Sequence, residues 1–159
     1  MIATWPCPDA SGAVQDEYAL IFDRQRPRRL LVIPPLFDEA NKLRRQLAEV
    51  MRRLDHAGID CFLPDLPGCN ESPRPLREQT LQGWRHTATA AAEHFRATHV
   101  LAVRAGAIIA PSSLPGWRYA PVGGASILRT LLRARIIAQR EAGREETLAQ
   151  LAEDRKSVV

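Results

Sequence analysis

The chain has 159 residues with 45% hydrophobic and 25% charged residues, a length and composition suited to one domain with a real core. That apolar content excludes wholesale disorder, and no run of about 18 apolar residues offers a membrane span. The net charge is +4, but acids alternate with the bases and no block of five like charges occurs, which argues against a nucleic-acid tail. All the basic residues except Lys42 and Lys156 are arginine, which reads either as phosphate recognition or as the codon usage of a GC-rich genome.

Residues 1–17 contain Pro and Gly, are weakly patterned and read as a lead-in, with a turn at Ser11-Gly12. They lack the basic start and apolar middle of a secretory signal, so a cytoplasmic location is expected. Tyr18 to Phe22 is a short strand candidate, followed by a charged turn over Arg24 to Arg29. Leu30 to Ile33 is a continuous apolar run, the pattern of a strand buried on both faces. After Pro34-Pro35-Leu36-Phe37, Asp38 is placed to cap a helix. Ala40, Leu43, Leu47, Val50, Met51, Leu54 and Ala57 recur at helical steps, and Gly58 stops it.

Ile59 to Leu63 predicts the next strand, and the loop Pro64 to Pro73 leads to a helix from about Glu78 to Arg96. Leu81, Trp84, Ala88, Ala91 and Phe95 form its apolar stripe. Val100 to Val103 is another buried strand, Arg104 to Ala110 a short helix before Pro111, and Trp117 to Ala120 a strand. A helix runs from Ile127 to about Ala142 and a shorter one from Glu145 to Asp154. Alternating strands and helices imply an α/β fold, a mainly parallel sheet with helices on both faces. Ligands then sit beyond the carboxyl ends of the strands, where Pro34 to Asp38, Asp65 to Ser72 and Arg104 to Gly106 gather.

Those three loops resemble the first half of an α/β-hydrolase. More narrowly, Pro34-Pro-Leu-Phe-Asp-Glu-Ala-Asn-Lys-Leu-Arg-Arg45 is similar to the PPFxEExNKxRR stretch of exosortase-associated (exopolysaccharide-associated) hydrolases. Asp65-Leu-Pro-Gly-Cys-Asn-Glu-Ser72 resembles their D-L-x-G-x-G-x-S loop, with Asn70 in place of a Gly. Tyr119-Ala-Pro-Val122 and the Arg-rich helix after it resemble the segment entering the cap. The resemblance implies an α/β-hydrolase-like core over residues 18–122 and a helical, cap-like segment over 123–159.

A hydrolase of this fold presents its serine at a G-x-S-x-G elbow. The corresponding residues are Ala102-Val103-Arg104-Ala105-Gly106, with Arg104 in the nucleophile position. A guanidinium stays protonated and neither attacks a carbonyl nor takes a proton. The fold's acid and His would lie beyond Val159, and His56, His86, His94 and His99 all read as ordinary surface residues away from the three loops.

Arg104 has two open roles: an anion clamp for a carboxylate, phosphate or acidic sugar, or a structural partner of Asp65 or another loop acid. Leu36 and Phe37 occupy the loop that donates an oxyanion-hole N–H in active relatives, or else pack Phe37 on the core. Asn41 lies near the pocket side, while Lys42, Arg44 and Arg45 read as a solvated face. Arg104, Leu36, Phe37, Asn41 and Asp65 form the candidate ligand-binding set.

Cys69 is the one candidate nucleophile, and it lacks a neighbouring His. Cys7, Cys61 and Cys69 form no CxxC pair, so neither a disulfide framework nor a metal site is expected, and no cofactor is implied. Ser112 and Ser113 read as loop residues, and Arg129, Arg133 and Arg140 as a polar helix face. An open edge at the Trp117 strand invites a homodimer or a protein partner. The expected function is an accessory or binding protein without serine-hydrolase activity, taking a small anionic or acyl ligand. The alternative is an ester or thioester hydrolase using Cys69 or a site completed by oligomerisation.

Overall fold

A computed structural model describes residues 1–9 and 11–142, in two units that divide between Pro121 and Val122. The helix expected over Glu145 to Asp154 lies outside the described residues. In the first unit, strands β1 (Ile2–Pro8), β2 (Val14–Phe22), β3 (Arg29–Ile33), β4 (Asp60–Pro64), β5 (His99–Val103) and β6 (Gly116–Tyr119) form one sheet in the order β1-β2-β4-β3-β5-β6. The pairs β1/β2 and β2/β4 are antiparallel, and β3/β4, β3/β5 and β5/β6 are parallel. The sheet is mixed and mostly parallel, as the alternating pattern predicts.

The lead-in expected over residues 1–17 is instead a full hairpin arm and the start of its partner. Trp5 and Cys7 alternate with exposed residues along β1 and are buried, as are Glu17 and Ala19 along β2. Prolines at 6 and 8 obscure this period-two pattern, yet β1 is an edge strand, where a missing ladder donor is tolerated.

Helix α1 (Asp38–His56) covers one face of the sheet. Its Leu47 and Met51 pack with Leu30, Val32, Cys61, Leu63 and Val103. Asp38 opens this helix rather than capping it: the cap position is Phe37, which offers no side-chain acceptor. Gly58 ends the turn after α1 at φ +84°, a conformation glycine adopts without a Cβ clash.

Helix α2 (Leu81–His94) lies on the other face, where Phe95 stacks on Phe62 with ring centroids 4.8 Å apart and Trp5 meets Phe95 at 5.6 Å. It starts later than Glu78 because Pro75 sets an extended residue before a single 3₁₀ turn over 76–78. The Thr80 hydroxyl then caps the helix by accepting from the Gly83 N–H. Leu81, at the head of the predicted stripe, is exposed, while Trp84, Ala88, Ala91 and Phe95 are buried.

In the second unit the described element is helix α3 (Gly124–Glu141), which begins before Ile127 with Gly123 as its cap.

At the amino ends of the parallel strands lies a knot of charge. Fully buried Asp60 accepts from the Arg26 backbone and from the Arg26 and Arg29 guanidinia. Asp55, at the end of α1, accepts from Arg24 and Arg26, and Arg29 also grips Asp23 through two 2.9 Å bonds. Part of the arginine excess therefore serves the fold itself.

Candidate functional site

The loops after β3, β4 and β5 meet at the carboxyl end of the sheet, and each holds a non-glycine residue at positive φ: Phe37 at 59°, Asn70 at 51° and Arg104 at 55°. Such conformations cost about 1–3 kcal/mol each and persist only where neighbours enforce them. For Arg104 the enforcing contact is visible. Two residues on, Gly106 approaches the β3–α1 loop so closely that a Cβ there would overlap the Pro34 carbonyl oxygen. The chain leaves β5, turns sharply at Arg104 and enters a 3₁₀ turn over Arg104–Ile108.

The Arg104 guanidinium does not meet Asp65. Its Nε donates to Glu39 Oε1 at 2.8 Å, and an Nη donates to the Ala120 carbonyl at 3.4 Å. Both members of the ion pair are about a third exposed (38% and 35%), so the pair is one a ligand can reach. Glu39 is the residue that sequence reasoning missed. It sits in the first turn of α1, one residue past Asp38, where an acid also favours the helix start and so gives no separate sign of a partner.

Asp65 is buried and committed elsewhere. Its carboxylate accepts two hydrogen bonds from Arg44, at 2.5 and 3.3 Å, and one from the Asn70 amide at 3.0 Å. Arg44, expected on a solvated face, is drawn inward by that carboxylate. Asn70 explains itself by the same contact: its short side chain tolerates positive φ and anchors the loop to Asp65. Leu36 is buried, and the Phe37 ring packs edge-on against Trp84 with centroids 5.4 Å apart, so this loop is pinned to the core. Asn41 is exposed on α1.

Cys69 is buried beneath the same loops. Burial pushes its thiol up to about 11, helped by the negative charges of Asp65 and Glu17 and opposed by a hydrogen bond with the Phe37 backbone. A thiol so placed holds its proton at neutral pH and is a poor nucleophile. Cys61, a core residue of β4, is pushed still higher, to about 12, chiefly by burial. None of the four histidines joins the cluster: His56 and His99 lie at the other end of the sheet, His99 stacked on Trp117, and His86 and His94 are exposed on α2.

No family model and no curated protein matches the sequence. Solved structures share its architecture. A protein of Agrobacterium vitis S4 described as a hydrolase superposes with a TM-score of 0.55 at 19% identity, over 87% of this chain and 60% of that one. What the two share is the fold, a mixed and mostly parallel sheet with helices on both faces. The α/β-hydrolase GrgF from Penicillium sp. sh18 matches more loosely, with a TM-score of 0.37 at 16% identity over 92% of this chain and 57% of that one. The chain thus spans about three-fifths of the length of the Agrobacterium protein. No described helix is long and apolar enough to cross a membrane.

Proposed function

We propose that this hydrolase-fold chain binds rather than hydrolyses, as an accessory protein of the exosortase- or exopolysaccharide-associated kind acting in the cytoplasm. The observation that carries the reading is Arg104 itself, on the strained bend where a serine hydrolase presents its hydroxyl. A permanently charged guanidinium paired to Glu39 supplies neither nucleophile nor base. In this reading a small anionic or acyl ligand docks against Arg104 by taking Glu39's place, with Leu36, Phe37 and Asn41 around it and Asp65 holding the loop in shape. Cys69 fits poorly as an alternative nucleophile, since its thiol is raised and no imidazole stands by.

The test is a panel of short acyl esters and thioesters together with a fluorophosphonate probe. No turnover and no adduct are expected, from the wild type or from Arg104→Ser. Turnover that Arg104→Ala or Cys69→Ala abolishes would defeat the proposal and establish the rival enzyme.

We also propose that the chain pairs with a second copy through the outer edge of β6. Supporting this, β1 protects the opposite edge with Pro6 and Pro8, whereas β6 exposes Trp117 (62%) and Tyr119 (63%) and has no outer partner strand among the described residues.

A further inference from the structure

Away from the elbow, the structure contains a cleft of about 700 Å³ between the tip of the β1–β2 hairpin, the loop carrying Pro67, Pro73 and Pro75, and the first two turns of α2. We infer that this cleft binds a small zwitterion of the amino-acid or dipeptide class, its carboxylate turned inward to Arg74 and its ammonium outward to Asp9 and Glu78.

Arg74 is the inner charge. Its side chain is only 11% exposed, and it is fixed by a 2.8 Å bond to the Cys7 carbonyl and a 3.2 Å bond to Gln15 Oε1, with Glu17 Oε1 facing its Nε at 3.4 Å. Those contacts occupy Nε and Nη2. Among the described residues Nη1 has no hydrogen-bond partner, so a guanidinium on the cleft wall keeps a donor in reserve. Glu17 is fully buried, and burial raises its pKa while the Ser72 hydroxyl and Arg74 oppose the rise.

The neighbouring donors agree with a carboxylate. Gln15 turns its amide oxygen to Arg74, which leaves its NH₂ to donate. The first turn of α2 adds N–H groups of which Thr80 satisfies the one at Gly83.

The mouth has the opposite sign. Asp9 Oδ1 is consumed by Ser11 and Ala13, and no hydrogen bond reaches Oδ2 among the described residues; Glu78, 61% exposed, stands on the rim with the Arg77 Nε 3.8 Å from its carboxylate in an exposed ion pair that a ligand ammonium would compete with. An inner cation and outer carboxylates select a ligand that carries both charges, since a simple anion meets repulsion at the mouth and a simple cation meets it inside. The three prolines make the wall stiff, so little ordering entropy opposes binding.

The experiment is thermal-shift and calorimetric titration of the whole chain with L-amino acids and free dipeptides at millimolar concentration. N-acetylated dipeptides, simple monocarboxylates, alkylamines and inorganic phosphate serve as comparators. Free zwitterions are expected to raise Tm, and the singly charged compounds are not. Arg74→Lys should weaken binding about tenfold, because the ammonium loses the fork geometry. Arg74 also braces β1, so Gly83→Leu is the companion variant: it puts bulk into the cleft from a helical position where its Cβ meets the Thr80 Oγ1 at 3.3 Å, its folding is checked by an unchanged far-UV spectrum and a cooperative melt, and it should abolish the response. The inference is overturned if no zwitterion shifts the wild type, if phosphate or a monocarboxylate binds as well, or if folded Gly83→Leu responds like the wild type.

Discussion

At Gly106 the elbow presses against the carbonyl of Pro34, and no side chain fits between them. Gly106→Ala must push the two loops apart or distort the bend at Arg104, and we expect a loss of about 3 kcal/mol in urea unfolding. Glu17 makes a different prediction. Burial raises its pKa from 4.5, so the folded chain keeps a proton that the unfolded chain releases. Stability from this source is complete below the unfolded value and disappears as pH rises through the folded one. Glu17→Gln holds the neutral form at every pH, so its urea midpoint should fall less than the wild type's as pH rises above 4.5. An equal fall in both would show that Glu17 is not the titrating group.

Among the elements, α2 shows how local chemistry fixes a boundary. Removing the Thr80 hydroxyl by Thr80→Ala leaves the Gly83 N–H without its acceptor and should cost about 1 kcal/mol in thermal or urea unfolding. Elements with strong periodicity were legible in the sequence: most of the α1 stripe, the apolar runs of β3 and β5, and the Gly58 stop appear where expected, while Val50 and Ala57 of that stripe are exposed. What escaped was set by tertiary contact. β1 was hidden by prolines that an edge strand tolerates. Arg44 looked solvated until Asp65 was placed beneath it, and the partner of Arg104 depended on how α1 meets the elbow. The bend at Arg104 was legible because a small residue two positions on, at the end of a buried strand, marks it, although what requires that residue is its approach to the Pro34 carbonyl.

For the molecule as a whole, the two edges of the sheet differ in kind. If β6 is the pairing edge, Trp117→Lys should shift the sedimentation of concentrated protein toward monomer while leaving the far-UV spectrum unchanged. Sedimentation that is monomeric before the substitution would remove the dimer proposal. The opposite end of the fold is closed by side chains rather than strands, because Asp23, Asp55 and Asp60 tie α1, β3 and β4 to the segment after β2 through three guanidinium groups. Guanidinium chloride brings the same cation in solution as a competitor for those carboxylates, whereas urea brings none. Stabilities extrapolated from the two denaturants should therefore disagree for this chain, and the urea value is the one that reports the intact clasp.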